Sequence, residues 1–285
     1  MIYTHDPGRL PMNLADVKTY LLPDSEEELV PWESGHSYVA GGTWLYSEPQ
    51  PDVDTVVDLM SLNWDPVQIT DNGLEIASTC TIRKLIDLDC PKEWRASLLI
   101  KRCAEALSAS FKIFNAATVG GNICMSLPAG AMISFATALH ANYSIISQDK
   151  NNRQIPAMKF HIGNQKNVLK PGEILRNIQI EKSWLQREAL IEYRALTPIG
   201  HSAALIIATK DPESKAVEFT ITASVVRPYQ IAFDDIPTKE QLSDAIQSTI
   251  PQETYFDDQH GDVFYRREMT YYLSEVLRKK LTSNA

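Results

Sequence analysis

The sequence lacks most signals by which nucleotide, metal and nucleophile sites are recognised. No G-x-G-x-x-G follows a strand-like run and no G-K-[ST] occurs, which excludes a Rossmann fingerprint and a P-loop. Cysteine is scarce. The four residues Cys80, Cys90, Cys103 and Cys124 form no C-x-x-C pair and sit at irregular intervals. Reduced thiols, partly in the core, are the expected state. The six histidines are scattered without H-x-x-x-H, so no metal residue is expected. No serine stands in G-x-S-x-G and no histidine is set beside one by sequence, so no catalytic residue is assigned.

Long apolar runs are missing too. The longest candidate, Ser202 to Thr209, suits a buried strand or helix and is too short for a membrane span. The start, "MIYTHDPGRLPMNL", has no basic region followed by an apolar one, so no secretory signal is expected and a cytoplasmic location is the default. Positive charge is in deficit. Lys and Arg number 27 against 36 Asp and Glu, a net charge of −9. That argues against nucleic acid as a partner, because phosphate backbones need a basic field.

What is present is a chain of 285 residues, 44% hydrophobic, enough to bury the core of two domains or one large one. "DSEEELVPW" opens with Asp24 or Ser25 as a capping residue and acidic residues suited to a helix start, with Pro31 limiting its length. "HSYVAGGTWLY" reads as a strand running into a glycine turn, and "DTVVDLMSL" as a short apolar run. Asp71-Asn72-Gly73 marks a turn, with Leu74 and Ile76 alternating as in a strand. Thr81 is placed to cap a helix through Leu88, with Ile82, Leu85 and Ile86 on one face. Leu98, Ile100, Cys103 and Leu107 recur at helical spacing. "AMISFATALHANYSII" reads as helix then strand. A polar joint near 182–188 precedes the strand-like runs "ALIEYRAL", "SAALIIAT" and "AVEFTITASVV". "YRREMTYYLSEVLRKKL" reads as an amphipathic helix with a basic last turn. This irregular interleaving points to an α+β fold rather than a doubly wound sheet.

Two glycine turns carry the functional signal: Val39-Ala40-Gly41-Gly42-Thr43 and Thr118-Val119-Gly120-Gly121-Asn122. Glycine lets a ligand approach the main chain, consecutive N–H groups form an anion-binding concavity, and a threonine hydroxyl adds a donor. Two such turns suggest one elongated diphosphate held from both sides. After Asn122, Pro128 fits the first turn of a helix, kept narrow by Ala129, Gly130 and Ala131. That helix start either faces a negative ligand or packs closely on a strand through small residues; the residues allow both readings.

"VAGGTWL" and "ATVGGNICMSLPAG" resemble the two flavin-binding motifs of the FAD-binding subunit of molybdenum hydroxylases, the relatives of xanthine dehydrogenase and carbon monoxide dehydrogenase. "GEILRNIQI", "YRALTPIGHSAAL" and "DDQHGDVFYRREMTYYLSEVLRK" resemble later parts of the same family, so the likeness runs from about residue 15 to 283. It implies a PCMH-type FAD domain of two subdomains over residues 1–182, then a smaller CO-dehydrogenase-flavoprotein-like α+β domain over 187–285. It implies FAD as cofactor. The diphosphate and ribityl chain would be wrapped by Tyr38, Val39, Ala40, Gly41, Gly42, Thr43, Trp44 and Leu45 and by Thr118, Gly120, Gly121, Asn122 and Ile123. Leu175 would lie at the isoalloxazine, and Arg194 would replace a family lysine near it.

Three positions depart from the family pattern. Ala131 stands where an aspartate is usual, Phe114 where a basic residue is common, and Trp44 where an acidic one is frequent. Losing the aspartate removes one acceptor, on the order of 1 kcal/mol. Phe114 is either plain core or a contact to a cofactor ring. The resemblance further implies an electron-transfer subunit of a hetero-oligomeric complex, taking electrons from [2Fe-2S] clusters of one partner, supplied by a molybdenum-cofactor subunit, and passing them to NAD or another acceptor. A structural subunit that has lost flavin, and a stand-alone flavin oxidoreductase, are the alternatives.

Overall fold

The computed structural model describes residues 2–4, 16–149, 151–197 and 200–283. It consists of three main layers of sheet with helices between and behind them, an α+β arrangement in which parallel pairing is confined to the first sheet.

The first sheet has the order β1 (Ile2–Thr4), β2 (Thr19–Leu21), β4 (Thr55–Asp58), β3 (His36–Val39). Strands β2 and β3 flank β4 in parallel, Val39 lying opposite Asp58. A parallel neighbour cannot be reached by a tight hairpin, so the chain must cross over between β3 and β4. That crossover, residues 40–54, carries the first glycine loop. Beneath it Val17, Val39 and Val56 form a small core with Tyr20, Leu45 and Tyr46. The acidic run before β3 forms only a 3-10 turn, Glu26–Glu28, and Ser25 makes no side-chain cap. The expected capped helix is therefore reduced to one turn; three glutamates in succession leave it no apolar residue to bury.

The second sheet is antiparallel throughout, in the order β5 (Val67–Thr70), β6 (Gly73–Ala77), β11 (Ile174–Glu181), β7 (Asn142–Ile146), β8 (Arg153–Pro156). Between β6 and β7 run α1 (Ile82–Ile86), α2 (Leu98–Ala106), α3 (Phe111–Ala116), α4 (Val119–Met125) and α5 (Ala131–Ala138). Thr81 accepts from the Lys84 amide, the cap expected of it. In α2 the buried stripe is Leu99, Ile100, Cys103 and Ala104, whereas Leu98 is 45% exposed. Ile100 and Cys103 are buried as the sequence reading expects and Leu107 packs partly buried against the same core, but Leu99 takes the inward place expected of Leu98. Every residue of α5 is buried. A helix apolar on all sides must be covered on all sides, and α5 packs against β13 and β14 on one side and against other helices, α2 and α4 among them, on the others.

After β8 come α6 (Ala157–Phe160), β9 (His161–Gly163) and β10 (Lys166–Asn167). After β11, a one-turn helix α7 (Lys182–Leu185) leads to the third sheet, a meander of β12 (Glu188–Ala195), β13 (Ser202–Lys210), β14 (Val217–Thr222) and β15 (Tyr229–Phe233). All nine residues of β13 are buried, and period-2 alternation divides them between two cores. Leu205 and Ile207 join the large core of the second sheet. Ala204, Ile206 and Ala208 pack under α8 (Lys239–Thr249) and α9 (Val263–Ser283) with Leu242, Ile246, Leu273 and Leu277. The polar joint at 182–188 hides Leu185 completely, so the chain passes from one layer to the next without a loose linker.

Candidate functional site

The first glycine loop leaves β3 at buried Val39. Gly41 presses against the residues that precede the second motif: a Cβ there would lie 1.8 Å from the Ala116 carbonyl oxygen and 2.7 Å from its carbon. The two glycine segments, far apart in sequence, therefore touch through main chain. Gly42 adopts φ +67, and a Cβ on it would meet the Tyr46 ring at 2.3 Å. Left-handed backbone beside a ring is open to glycine alone. The turn is closed by the Tyr46 amide donating to the Gly42 carbonyl at 2.9 Å. Behind it Tyr20 donates to Asp58 at 2.8 Å and meets the Tyr46 hydroxyl at 3.2 Å. Burial, followed by these two hydrogen bonds, pushes the Tyr20 phenol well above its ordinary value. Among the described residues, the amides of Gly41, Gly42, Thr43, Trp44 and Leu45 donate to no protein acceptor. Five successive N–H groups are thus left to solvent or a ligand around a left-handed residue, the arrangement from which anion-binding nests are built.

The second segment is built differently. Thr118 is the N-cap of α4 and its hydroxyl accepts from the Gly121 amide at 3.0 Å. The Val119 amide donates to Cys80 at 2.9 Å, that of Gly120 to Ser78 at 2.9 Å, and that of Asn122 to the Thr118 carbonyl at 3.0 Å. The expected turn is thus the first turn of a helix whose amides are all used by the protein, which corrects its reading as an open concavity. Gly120 is there for packing: a Cβ would lie 2.3 Å from that of Ser78. At Gly121 an added Cβ meets only the Thr118 hydroxyl, at 2.9 Å, and its other side is open. The Asn122 side chain accepts from the Met132 amide at 3.0 Å, tying the second motif to the start of α5. Ile123 is buried in the main core.

That start lies later than the sequence suggested. Pro128 sits in a turn closed by the Gly130 amide donating to Leu127, and the helix begins at Ala131. Ala131 is fully buried, and Phe114 is half-buried against the main core, as a plain core residue would be. Trp44 is 39% exposed beside the open amides. Tyr38 donates to the Gly172 carbonyl at 3.3 Å and packs against Trp32 at 4.8 Å between centroids; burial raises its phenol. Leu175 has its side chain in the core and pairs with Ile145 next to a β-bulge. Arg194, exposed on β12 opposite Ala204, makes no ion pair or hydrogen bond through its side chain among the described residues. Neither Leu175 nor Arg194 is hydrogen-bonded to the glycine segments. The residues that sequence reasoning missed are Tyr20, Tyr46 and Asp58, which shape the loop. No local signal marks them, since the hydrogen-bonded pairs are 26 and 38 residues apart.

The four cysteines are free, with burial raising the thiols of Cys80 and Cys124 to about 12. Among the described residues no three His, Cys, Asp or Glu converge as for a metal ion. No described helix is long and apolar enough to cross a membrane.

The fold has counterparts among solved structures. Carbon monoxide dehydrogenase from Hydrogenophaga pseudoflava, in a form lacking the Mo-pyranopterin moiety of the molybdenum cofactor, contains a chain superposing with a TM-score of 0.74. It is 18% identical, with 89% of this chain and 93% of that one covered. A chain of quinoline 2-oxidoreductase from Pseudomonas putida 86 gives 0.72 at 17% identity, with 92% and 97% covered. At such identities the likeness is one of fold. In sequence, xanthine dehydrogenase from Oryza sativa subsp. japonica is 28% identical over 124 residues, and xanthine dehydrogenase 2 from Arabidopsis thaliana 32% over 129. These matches cover 39% and 43% of this chain but only 9% of either plant protein. Residues 15–182, more than half of the chain, match the model of the FAD binding domain in molybdopterin dehydrogenase. The chain belongs to that family. FAD is its cofactor.

Proposed function

We propose that this chain is the FAD-carrying electron-transfer subunit of a molybdenum hydroxylase complex, with residues 1–182 as the FAD domain and 187–285 as the C-terminal domain. The observation that carries the reading is the row of unspent amides from Gly41 to Leu45. They fit a diphosphate, because main-chain donors and a left-handed glycine bring positive potential to the ligand without a side chain in the way. The Thr43 hydroxyl adds a donor, and Gly121 carries no side chain that could block a ligand there. The second segment then acts as support: it fixes the floor on which Gly41 rests instead of donating hydrogen bonds from its own helix end.

The chemistry FAD supplies when bound is the acceptance of electrons from [2Fe-2S] clusters of a partner subunit and their delivery to NAD or another acceptor. This chain's own residues hold the cofactor, exclude bulk from the diphosphate and set its orientation; no side chain is assigned an acid or base role. Buried Ala131 and core-packed Phe114 leave the loop amides untouched, so their departure from the family pattern does not favour a flavin-free structural subunit. The family likeness and the fold shared with chains of carbon monoxide dehydrogenase and quinoline 2-oxidoreductase support a hetero-oligomeric setting.

The test is the visible spectrum and FAD stoichiometry of the purified native complex, with the Thr43→Val variant beside it. Oxidised-flavin bands in the parent and about tenfold weaker FAD binding in the variant are expected. A colourless, folded parent, or a variant that binds FAD as tightly, contradicts the reading.

A further inference from the structure

A second cleft, of about 440 Å³, lies away from the glycine loops, where the 3-10 turn before α2 meets the end of the third sheet. Its walls include Arg95, Glu188, Lys210, Lys215 and Asp235. Lys210, the last residue of β13, is 8% exposed. Its stem is packed away, while its ammonium is not among the polar atoms sealed from water and opens on the cleft. That ammonium has no ion pair or hydrogen bond among the described residues.

Two carboxylates stand close to it in sequence or register, and both are engaged elsewhere. Glu188 is its cross-strand partner but is held by Arg95 at 3.1 Å. Asp211, the next residue, pairs with Arg187 at 3.2 Å and accepts the amides of Glu213 and Ser214 at 2.9 Å. Lys215 donates to the Pro212 carbonyl at 2.9 Å and has no carboxylate of its own. Asp235 is the one opposing charge without a cation, and its carboxylate caps the Ile236 amide at 2.7 Å. On a chain of net charge −9, this cleft gathers three cations against two anions.

We infer that the cleft is an anion site, with Lys210 as its anchor and Lys215 at its rim, and that it takes a phosphate group carried by a small molecule. An ammonium with a buried stem is a point charge suited to a compact oxyanion. The site is independent of the flavin reading, since none of its residues belongs to the glycine segments.

The test is calorimetric titration of the purified full chain with inorganic phosphate and, in parallel, adenosine monophosphate. Saturable binding at one site is expected, weakened at least tenfold in Lys210→Met and unchanged in Thr43→Val, with FAD content unchanged in Lys210→Met. Tighter binding of the nucleotide identifies an organic phosphate as the ligand, and equal binding identifies free phosphate. Absence of saturable binding, or equal affinity in Lys210→Met, overturns the proposal. Should Lys210→Met fail to fold, phosphate protection of Lys210 from amine acetylation in the unmodified chain, read by mass spectrometry, decides it: protection is expected, and its absence refutes the site.

Discussion

Gly41 rests directly on the main chain at Ala116, so closely that a single added carbon would come within 1.8 Å of the Ala116 carbonyl oxygen. This contact joins the mixed first sheet to the helical layer of the second, at the start of the loop that carries the open amides of residues 41–45. The neighbour is backbone, which cannot rotate aside.

Gly41→Ala should therefore displace the loop. We expect a loss of roughly 2–3 kcal/mol in stability, as for overpacking of a close contact, together with loss of bound FAD. Thermal unfolding and cofactor stoichiometry measured on the same preparation check this. An unshifted melting curve with full FAD content would show that the contact is looser than described.

Asn122 reaches the start of α5 and accepts the Met132 amide. Asn122→Ala removes that acceptor and leaves a buried helix start one bond short, at about 1 kcal/mol. Asn122→Asp keeps an oxygen in place and should recover most of it. Urea midpoints of the three proteins test the order.

His161 is buried beside Ser126, its Nδ1 within 2.9 Å of the hydroxyl and its Nε2 without a partner. Burial lowers its pKa from 6.5 to about 3. The unfolded chain then binds the proton more readily than the folded one between these values. Stability tied to His161 is accordingly present above pH 6.5 and is lost as pH falls toward 3, with a slope approaching about 1.4 kcal/mol per pH unit. His161→Gln should flatten the decline of unfolding free energy between pH 7 and 5. Parallel declines in parent and variant would assign the acid sensitivity elsewhere.

Arg266 is 1% exposed and donates to the carbonyls of Gly261, Ala203 and Ala223 at 2.9, 2.9 and 2.7 Å, and to Asp258. Ala223 has φ +64, and its amide donates to Pro128 in the turn before α5. Arg266→Met strands these acceptors and should cost roughly 3–5 kcal/mol; Asp258→Asn, which removes one partner at a half-exposed position, should cost far less. Equilibrium unfolding of both variants gives the comparison.

The sequence carried the local part of this protein. Thr81 capped its helix, Asp71-Asn72-Gly73 turned between two strands, and the strand-like runs after residue 188 became β12, β13 and β14, because each depends on neighbours a few residues away. The capping box of Thr238 and Gln241 at the start of α8 is equally local. The two glycine segments stood out, and with them the family. What a glycine is for was beyond local reach. Gly41 and Gly120 are bare because backbone or a side chain from another layer lies against them, whereas the amides after Gly41 are open because none does. Only the packing of distant strands decides which N–H groups are spent within the protein and which remain for a ligand. The same holds for Lys210, whose neighbouring carboxylates look like partners in sequence until the folded sheet gives them to Arg95 and Arg187.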